Sequence, residues 1–161
     1  EGVGIAVERI SGAGTGSVML ESHSKLFNEV QAGSYILMDR DYATNQRDPS
    51  DLPFEHALFI KTAILSHPTP SRAVVDAGLK ASSVDSGMPA VWQRKDAIYR
   101  KASDEHGILD LTAESTIKLG DSIMLIPGHC DPTVNLYDEL ICIRGNHVEA
   151  VWPIAARGAL L

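Results

Sequence analysis

His129, Cys130 and Asp131 stand side by side in the stretch PGHCDPTVNLYD (127–138), and all three side-chain types can ligate metals. In an extended chain, residues at i and i+2 point to the same side. His129 and Asp131 would then face one pocket while Cys130 faces the other way. Pro132 biases Asp131 toward extended geometry. An imidazole nitrogen with a carboxylate oxygen suits zinc, manganese or another divalent ion. Two ligands do not hold an ion by themselves, so residue types leave a second reading open. In that reading Asp131 caps a turn at DPT and His129 is a surface residue.

GAGTGS (12–17) is a second constellation. Backbone N–H groups of a glycine-rich loop approach a phosphate closely, and Thr15 or Ser17 adds a hydroxyl donor. The Walker pattern is absent, because no Gly-Lys-Ser/Thr follows. Gly12, Gly14 and Gly16 are spaced two apart, which also fails the dinucleotide pattern. A plain tight turn accounts for the same residues. DEHGIL (104–109) sets Glu105 beside His106, on opposite faces of a strand or in a solvated loop. VDAGLKASSVDSG (75–87) carries Asp76, Lys80 and Asp85 among small residues, as a cavity lining or as surface charges on a turn. Tyr35 reads from its apolar surroundings as a core tyrosine with a bonded hydroxyl. Trp152 and Arg157 read as closing the domain.

The elements that must position these groups fall into two kinds. GIAVERI (4–10) reads as a strand, 11–18 as a glycine loop, 25–33 as one or two helical turns ended by Gly33, and SYILMD (34–39) as a buried strand. That succession predicts α/β structure. TNQRDPSDLP (44–53) is polar, carries two prolines and predicts a linker. Beyond it the runs predict strands at 56–66, 72–78 and 122–128, the last introduced by a turn at 118–121. A hairpin over 140–154 turns at Gly145-Asn146. The fold class expected is α/β plus all-β, with a small β domain from about residue 45.

A chain of 161 residues, 44% hydrophobic and 22% charged, fits one globular domain or two small ones. A net charge of -7 argues against nucleic acid as a partner, and no apolar run reaches the length of a membrane span. Two cysteines, Cys130 and Cys142, are too few for a disulfide framework. A cytoplasmic location is the default expectation. The chain opens at Glu1 without methionine, which is expected of a processed chain or of the later part of a longer protein.

Six blocks in order, SGAGTGS, NEVQAGSYILMD, VVDAGLKASSVDSG, EHGIL, PGHCDPTVNLYD and VEAVWPIAARG, resemble the C-terminal half of D-threonine aldolases and the related D-serine dehydratases. These are pyridoxal-phosphate enzymes of the alanine-racemase type, and the resemblance covers nearly the whole chain. It implies that residues 1–43 are the last strands of a (β/α)8 barrel and residues 44–161 a β-rich domain carrying a metal site. It also implies that Gly14, Thr15 and Gly16 hold the cofactor phosphate, since barrels often bind phosphate near their last two strands. Tyr35 would be an active-site wall residue, and His129 and Asp131 would ligate manganese, magnesium or zinc.

The dehydratase branch resembles this motif with His-x-Cys and the aldolase branch with His-x-Asp, so Asp131 favours the aldolase. The activity implied is cleavage of D-threonine and related 3-hydroxy-D-amino acids to glycine and an aldehyde. The metal would acidify the substrate hydroxyl and the cofactor would take up the carbanion charge. The family's Schiff-base lysine has no match among Lys25, Lys61, Lys80, Lys95, Lys101 and Lys118. The chain alone is therefore expected to be inactive. Its N-terminal half is expected as a separate chain covering otherwise open strand edges, within a homodimer of the complete enzyme. A D-serine or 3-hydroxy-D-aspartate dehydratase is one alternative. A non-catalytic β module that binds a metal or a partner is another.

Overall fold

The computed structural model describes residue 4, residues 6–51 and residues 53–159. Its largest element is a six-stranded antiparallel sheet. The strands are β3 (Ile60–Thr69), β4 (Arg72–Val75), β5 (Ala90–Val91), β6 (Ala97–Ala102), β7 (Gly107–Leu111) and β8 (Ser122–Ile126). They lie in the order β5-β8-β3-β4-β7-β6. Strand β3 serves two neighbours. Ile60–Ala63 pair with β8, and Ile64–Thr69 pair with β4, with register shifts between Ile64 and Ser66 and between Ser66 and Thr69. The sheet curls until its edge strands β5 and β6 approach each other, a nearly closed barrel.

Alternation builds the core. On β7, Leu109 and Leu111 point inward and Asp110 points out; on β4, Ala73 and Val75 point inward; on β6, Ala97 and Tyr99 do. With Ile64, Ile123 and Leu125 they form one cluster. The Tyr99 hydroxyl, buried in that cluster, donates to the Ala77 carbonyl at 2.7 Å.

The first forty residues hold shorter elements than their apolar pattern predicts. β1 (Ser11–Gly12) pairs in parallel with β2 (Glu29–Val30), and α1 (Val18–His23) connects them. A strand–helix–strand unit is present, with the helix ahead of the 25–33 expected. The strand expected over 4–10 is not formed by its described residues, and Ile5 lies outside them. The buried strand expected over 34–39 is a 3-10 turn, Ser34–Ile36, followed by α2 (Arg40–Ala43).

Met38 adopts a positive φ of 53°, which reverses the chain and places Asp39 at the N-cap of α2. There its Oδ1 accepts from the Tyr42 N–H at 2.9 Å. Tyr35 is consequently 43% exposed, not a core residue. Residues 44–53, the expected linker, hold no helix or strand among those described.

After β8 comes one helical turn, α3 (Cys130–Val134), and then the hairpin of β9 (Glu139–Arg144) and β10 (His147–Pro153), which turns at Gly145-Asn146 as predicted. Trp152 does not close the domain. It is 60% exposed on the hairpin. Arg157 does tie the chain end back, donating to the Asn135 carbonyl at 3.0 Å. No helix among the described residues is long and apolar enough to cross a membrane.

Candidate functional site

The Pro127–Asp131 stretch leaves the end of β8 and is gripped by residues 39–41. The Arg40 N–H donates to the Pro127 carbonyl at 3.0 Å and the Asp41 N–H to the Gly128 carbonyl at 3.2 Å. Asp39, fully buried, uses its second oxygen to accept from the Cys130 N–H at 2.8 Å. One carboxylate thus caps α2 and holds the start of α3. On the other side, a side chain at Gly128 would collide with the Gly87 carbonyl oxygen, so the 85–88 loop packs directly on the motif's backbone. The Arg40 guanidinium fastens the same loop by donating to the Met88 carbonyl at 2.6 Å.

His129 is extended, with φ -140° and ψ 124°, and Asp131 already lies in the first turn of α3. Pro132 is accommodated because the first helical turn has no N–H bond to lose. The motif is therefore not the continuous extended segment expected, yet it sorts its side chains as expected. Cys130 is buried, whereas His129 Nε2 and Asp131 Oδ2 converge at 3.3 Å.

Burial pushes the Cys130 thiol up to about 12, with the Asp39 hydrogen bond and the charges of Asp131 and Asp39 adding to it. It is an inert, protonated thiol, its S–H directed at Asp131 Oδ2 from 3.7 Å.

The other ring nitrogen of His129 is also held. Nδ1 lies 2.7 Å from Asp85 Oδ2 and 3.4 Å from Ser86 Oγ. Burial of the ring acts to lower the His129 pKa. The bond to Asp85 and the charges of Asp85, Asp131 and Asp39 outweigh it, so the net direction is upward. The Ser83 hydroxyl and then the His129 ring hold the Asp85 carboxyl down at about 2. Asp131 is positioned by the Ser34 hydroxyl, which donates to Oδ2 at 2.9 Å.

The donor set fits a cation. A neutral ring with its proton on Nδ1, toward Asp85, turns the Nε2 lone pair toward a carboxylate, an arrangement that attracts a positive charge between them. With ligand distances of ~2.1 Å, a 3.3 Å N···O span corresponds to an angle of roughly 105° at the ion, within reach of tetrahedral or distorted octahedral geometry. Among the described residues no group of three His, Cys, Asp or Glu side chains is arranged to hold an ion. Remaining coordination positions would fall to oxygen donors from water or substrate.

The glycine loop is tied to the segment that holds Asp131, through Tyr35 next to Ser34. Thr15 is buried, and its Oγ1 accepts from the Tyr35 N–H at 3.0 Å. The Gly14 carbonyl accepts from Ser17 and Val18. Among the described residues, the N–H groups of Gly14, Thr15 and Gly16 donate to no protein acceptor. The space a side chain at Gly14 would enter is open to 4 Å. The loop can therefore present amide donors to an anion. The Tyr35 ring packs on Phe54 with centroids 5.5 Å apart.

Other candidates sit elsewhere. Glu105 pairs with Lys80 at 2.7 Å on an exposed loop. Asp76 accepts from the Thr62 hydroxyl and from the Ala63 N–H, and so braces β3. Sequence reading assigned no role to Ser34 or Asp39 and left Asp85 open between a cavity lining and a surface charge on a turn. Asp39 three residues before Tyr42 does carry an N-cap signal. Nothing local marks the other two.

Residues 57–143 match the family described as "Putative serine dehydratase domain". The chain is 49% identical over 164 residues to the 3-hydroxy-D-aspartate aldolase of Paracoccus denitrificans (strain Pd 1222), covering 98% of this chain and 42% of that protein. It is 41% identical over 156 residues to a D-threonine aldolase of Arthrobacter sp, covering 96% of this chain and 41% of that protein. The crystal structure of D-threonine aldolase from Filomicrobium marinum matches with a TM-score of 0.93 at 42% identity, covering 99% of this chain and 44% of that one. The chain thus spans less than half the length of the relatives it matches.

Proposed function

Because this chain belongs to the serine dehydratase domain family, we propose that it is the metal-carrying C-terminal portion of a lyase. The lyase would depend on pyridoxal phosphate and split 3-hydroxy-D-amino acids into glycine and an aldehyde. The observation that carries this reading is the convergence of His129 Nε2 and Asp131 Oδ2 at 3.3 Å, with Nδ1 of the same ring held by Asp85. The aldolase names of the relatives support it, and so does a carboxylate, Asp131, where the dehydratase motif has a thiol. In this reading residues up to about 43 belong to a (β/α)8 barrel whose other strands lie outside this chain.

His129 and Asp131 would hold a divalent ion, with Asp85 and Ser34 fixing the two side chains. Amides of Gly14, Thr15 and Gly16 would hold the cofactor phosphate, and the Tyr35 ring would stand beside it as a wall. When bound, the ion lowers the pKa of a coordinated hydroxyl and the cofactor ring accepts carbanion charge. Cys130 stays out of the chemistry, because its thiol is buried and protonated. The Thr15–Tyr35 and Ser34–Asp131 bonds fasten the 14–16 loop and Asp131 to one short segment, which supports the reading that both act on one small substrate.

The test is product analysis with the complete enzyme. Glycine with acetaldehyde from D-threonine, or glycine with glyoxylate from 3-hydroxy-D-aspartate, is expected. Both should be lost on chelation and in His129→Ala. Ammonia and a keto acid without glycine would make the enzyme a dehydratase. Absence of both lyase activity and bound metal would leave a non-catalytic module.

A further inference from the structure

We propose that Asp85 is the positioning residue of the metal site: it selects the tautomer and the aim of His129, and so sets how tightly the ion is held. The inference rests on the reading of His129 and Asp131 as ligands. It concerns a residue that touches neither ion nor substrate.

Three observations carry it. Asp85 Oδ2 stands 2.7 Å from His129 Nδ1, the nitrogen facing away from Asp131. A carboxylate there accepts the Nδ1 proton, which leaves the lone pair on Nε2, where an ion needs it. The opposite tautomer would put a proton on Nε2 and close the site.

Second, Asp85 is itself pinned. Its Oδ1 accepts from the Ser83 hydroxyl at 2.5 Å. Third, the same loop is anchored to the backbone of the residue it serves. The Ser83 N–H donates to Thr133 Oγ1 at 3.1 Å, and the Thr133 hydroxyl donates to the His129 carbonyl at 2.7 Å. Thr133 is itself buried. The loop carrying Asp85 and the ligand His129 thus move as one piece. A surface charge on a mobile turn would lack that second attachment.

The experiment measures Mn2+ affinity of the complete enzyme, by electron paramagnetic resonance of the free ion, for wild type, Asp85→Ala, Asp85→Asn and His129→Ala. Thermal midpoint and cofactor absorbance are recorded alongside. Asp85→Ala is expected to weaken Mn2+ binding about 10- to 100-fold, with cofactor absorbance unchanged and activity recovered by excess Mn2+. A purely structural defect would not be rescued by added ion. Asp85→Asn, which keeps the shape and loses the charge, is expected to fall between the two and carries the test if the alanine variant does not fold. Wild-type Mn2+ affinity in the Asp85 variants, with His129→Ala abolishing binding, would overturn the role of Asp85 and leave the ligand assignment standing. Undiminished binding in His129→Ala would overturn the ligand assignment, and the role of Asp85 with it.

Discussion

The Ser34 hydroxyl donates to Asp131 Oδ2 at 2.9 Å across 97 positions of sequence. The adjacent Tyr35 N–H donates to Thr15 in the glycine loop. Two consecutive residues therefore fasten the loop proposed to bind the cofactor phosphate to one of the two proposed metal ligands.

Removing that hydroxyl tests the link. Ser34→Ala leaves Asp131 free to rotate and loses one hydrogen bond to a charged group. Such bonds contribute about 1.5–3 kcal/mol, but Asp131 is 64% exposed, so the lower end applies. Metal affinity is expected to fall about tenfold, as read by titration with Mn2+. Ser34→Thr, which keeps a donor, should lose less.

Thr15→Val replaces an acceptor with a methyl group of similar size. The Tyr35 N–H then faces an apolar group, and the turn that sets the loop loosens. Weaker retention of pyridoxal phosphate on dialysis, followed by its visible absorbance, is the expected outcome. Unchanged retention would show that the loop keeps its shape without that bond.

Asp39→Ala should affect stability first. It removes the N-cap of α2 and leaves the Cys130 N–H buried without an acceptor. A lost cap costs about 1 kcal/mol and an unsatisfied buried donor about 1–3 kcal/mol. Chemical denaturation should register a loss of about 2–4 kcal/mol. Asp39→Asn offers one acceptor to two N–H groups and should also destabilise.

Acid should weaken the sheet through Asp96. Arg94 donates to it from Nε at 2.9 Å and from Nη2 at 2.6 Å. That guanidinium holds the Asp96 carboxyl well below the usual carboxylate range. A depressed folded-state pKa means the stabilisation is fully present above the unfolded value of about 3.9 and is lost as pH falls below it. Unfolding free energy measured from pH 5 downward should decline, and Asp96→Asn should decline less steeply.

The later part of the chain was legible in sequence because its strands carry their own evidence. The runs read at 72–78 and 122–128 contain β4 and β8, and Gly145-Asn146 marks the hairpin, whereas β5, β6 and β7 were not read as strands. The first part misled because a strand is a pairing, and an apolar run does not reveal whether its partner is there. Val7 and Ile36 are exposed in this chain and belong to no strand. Spacing suggested that His129 and Asp131 share a side, but the family resemblance was needed to favour them as a ligand pair, and the backbone between them is a helix start and not a strand. Asp85, Ser34 and Asp39 could not be joined to them from sequence, since they reach the motif over 44, 97 and 91 positions. No local pattern encodes a contact of that range.

Where Gly128 lies against Gly87, two stretches of main chain touch with no side chain between them. Even a methyl group at residue 128 would act as a wedge, prising the 85–88 loop outward and carrying Asp85 off the imidazole. The tightness of the proposed ion binding would thus be written partly into a position that bears no functional group at all.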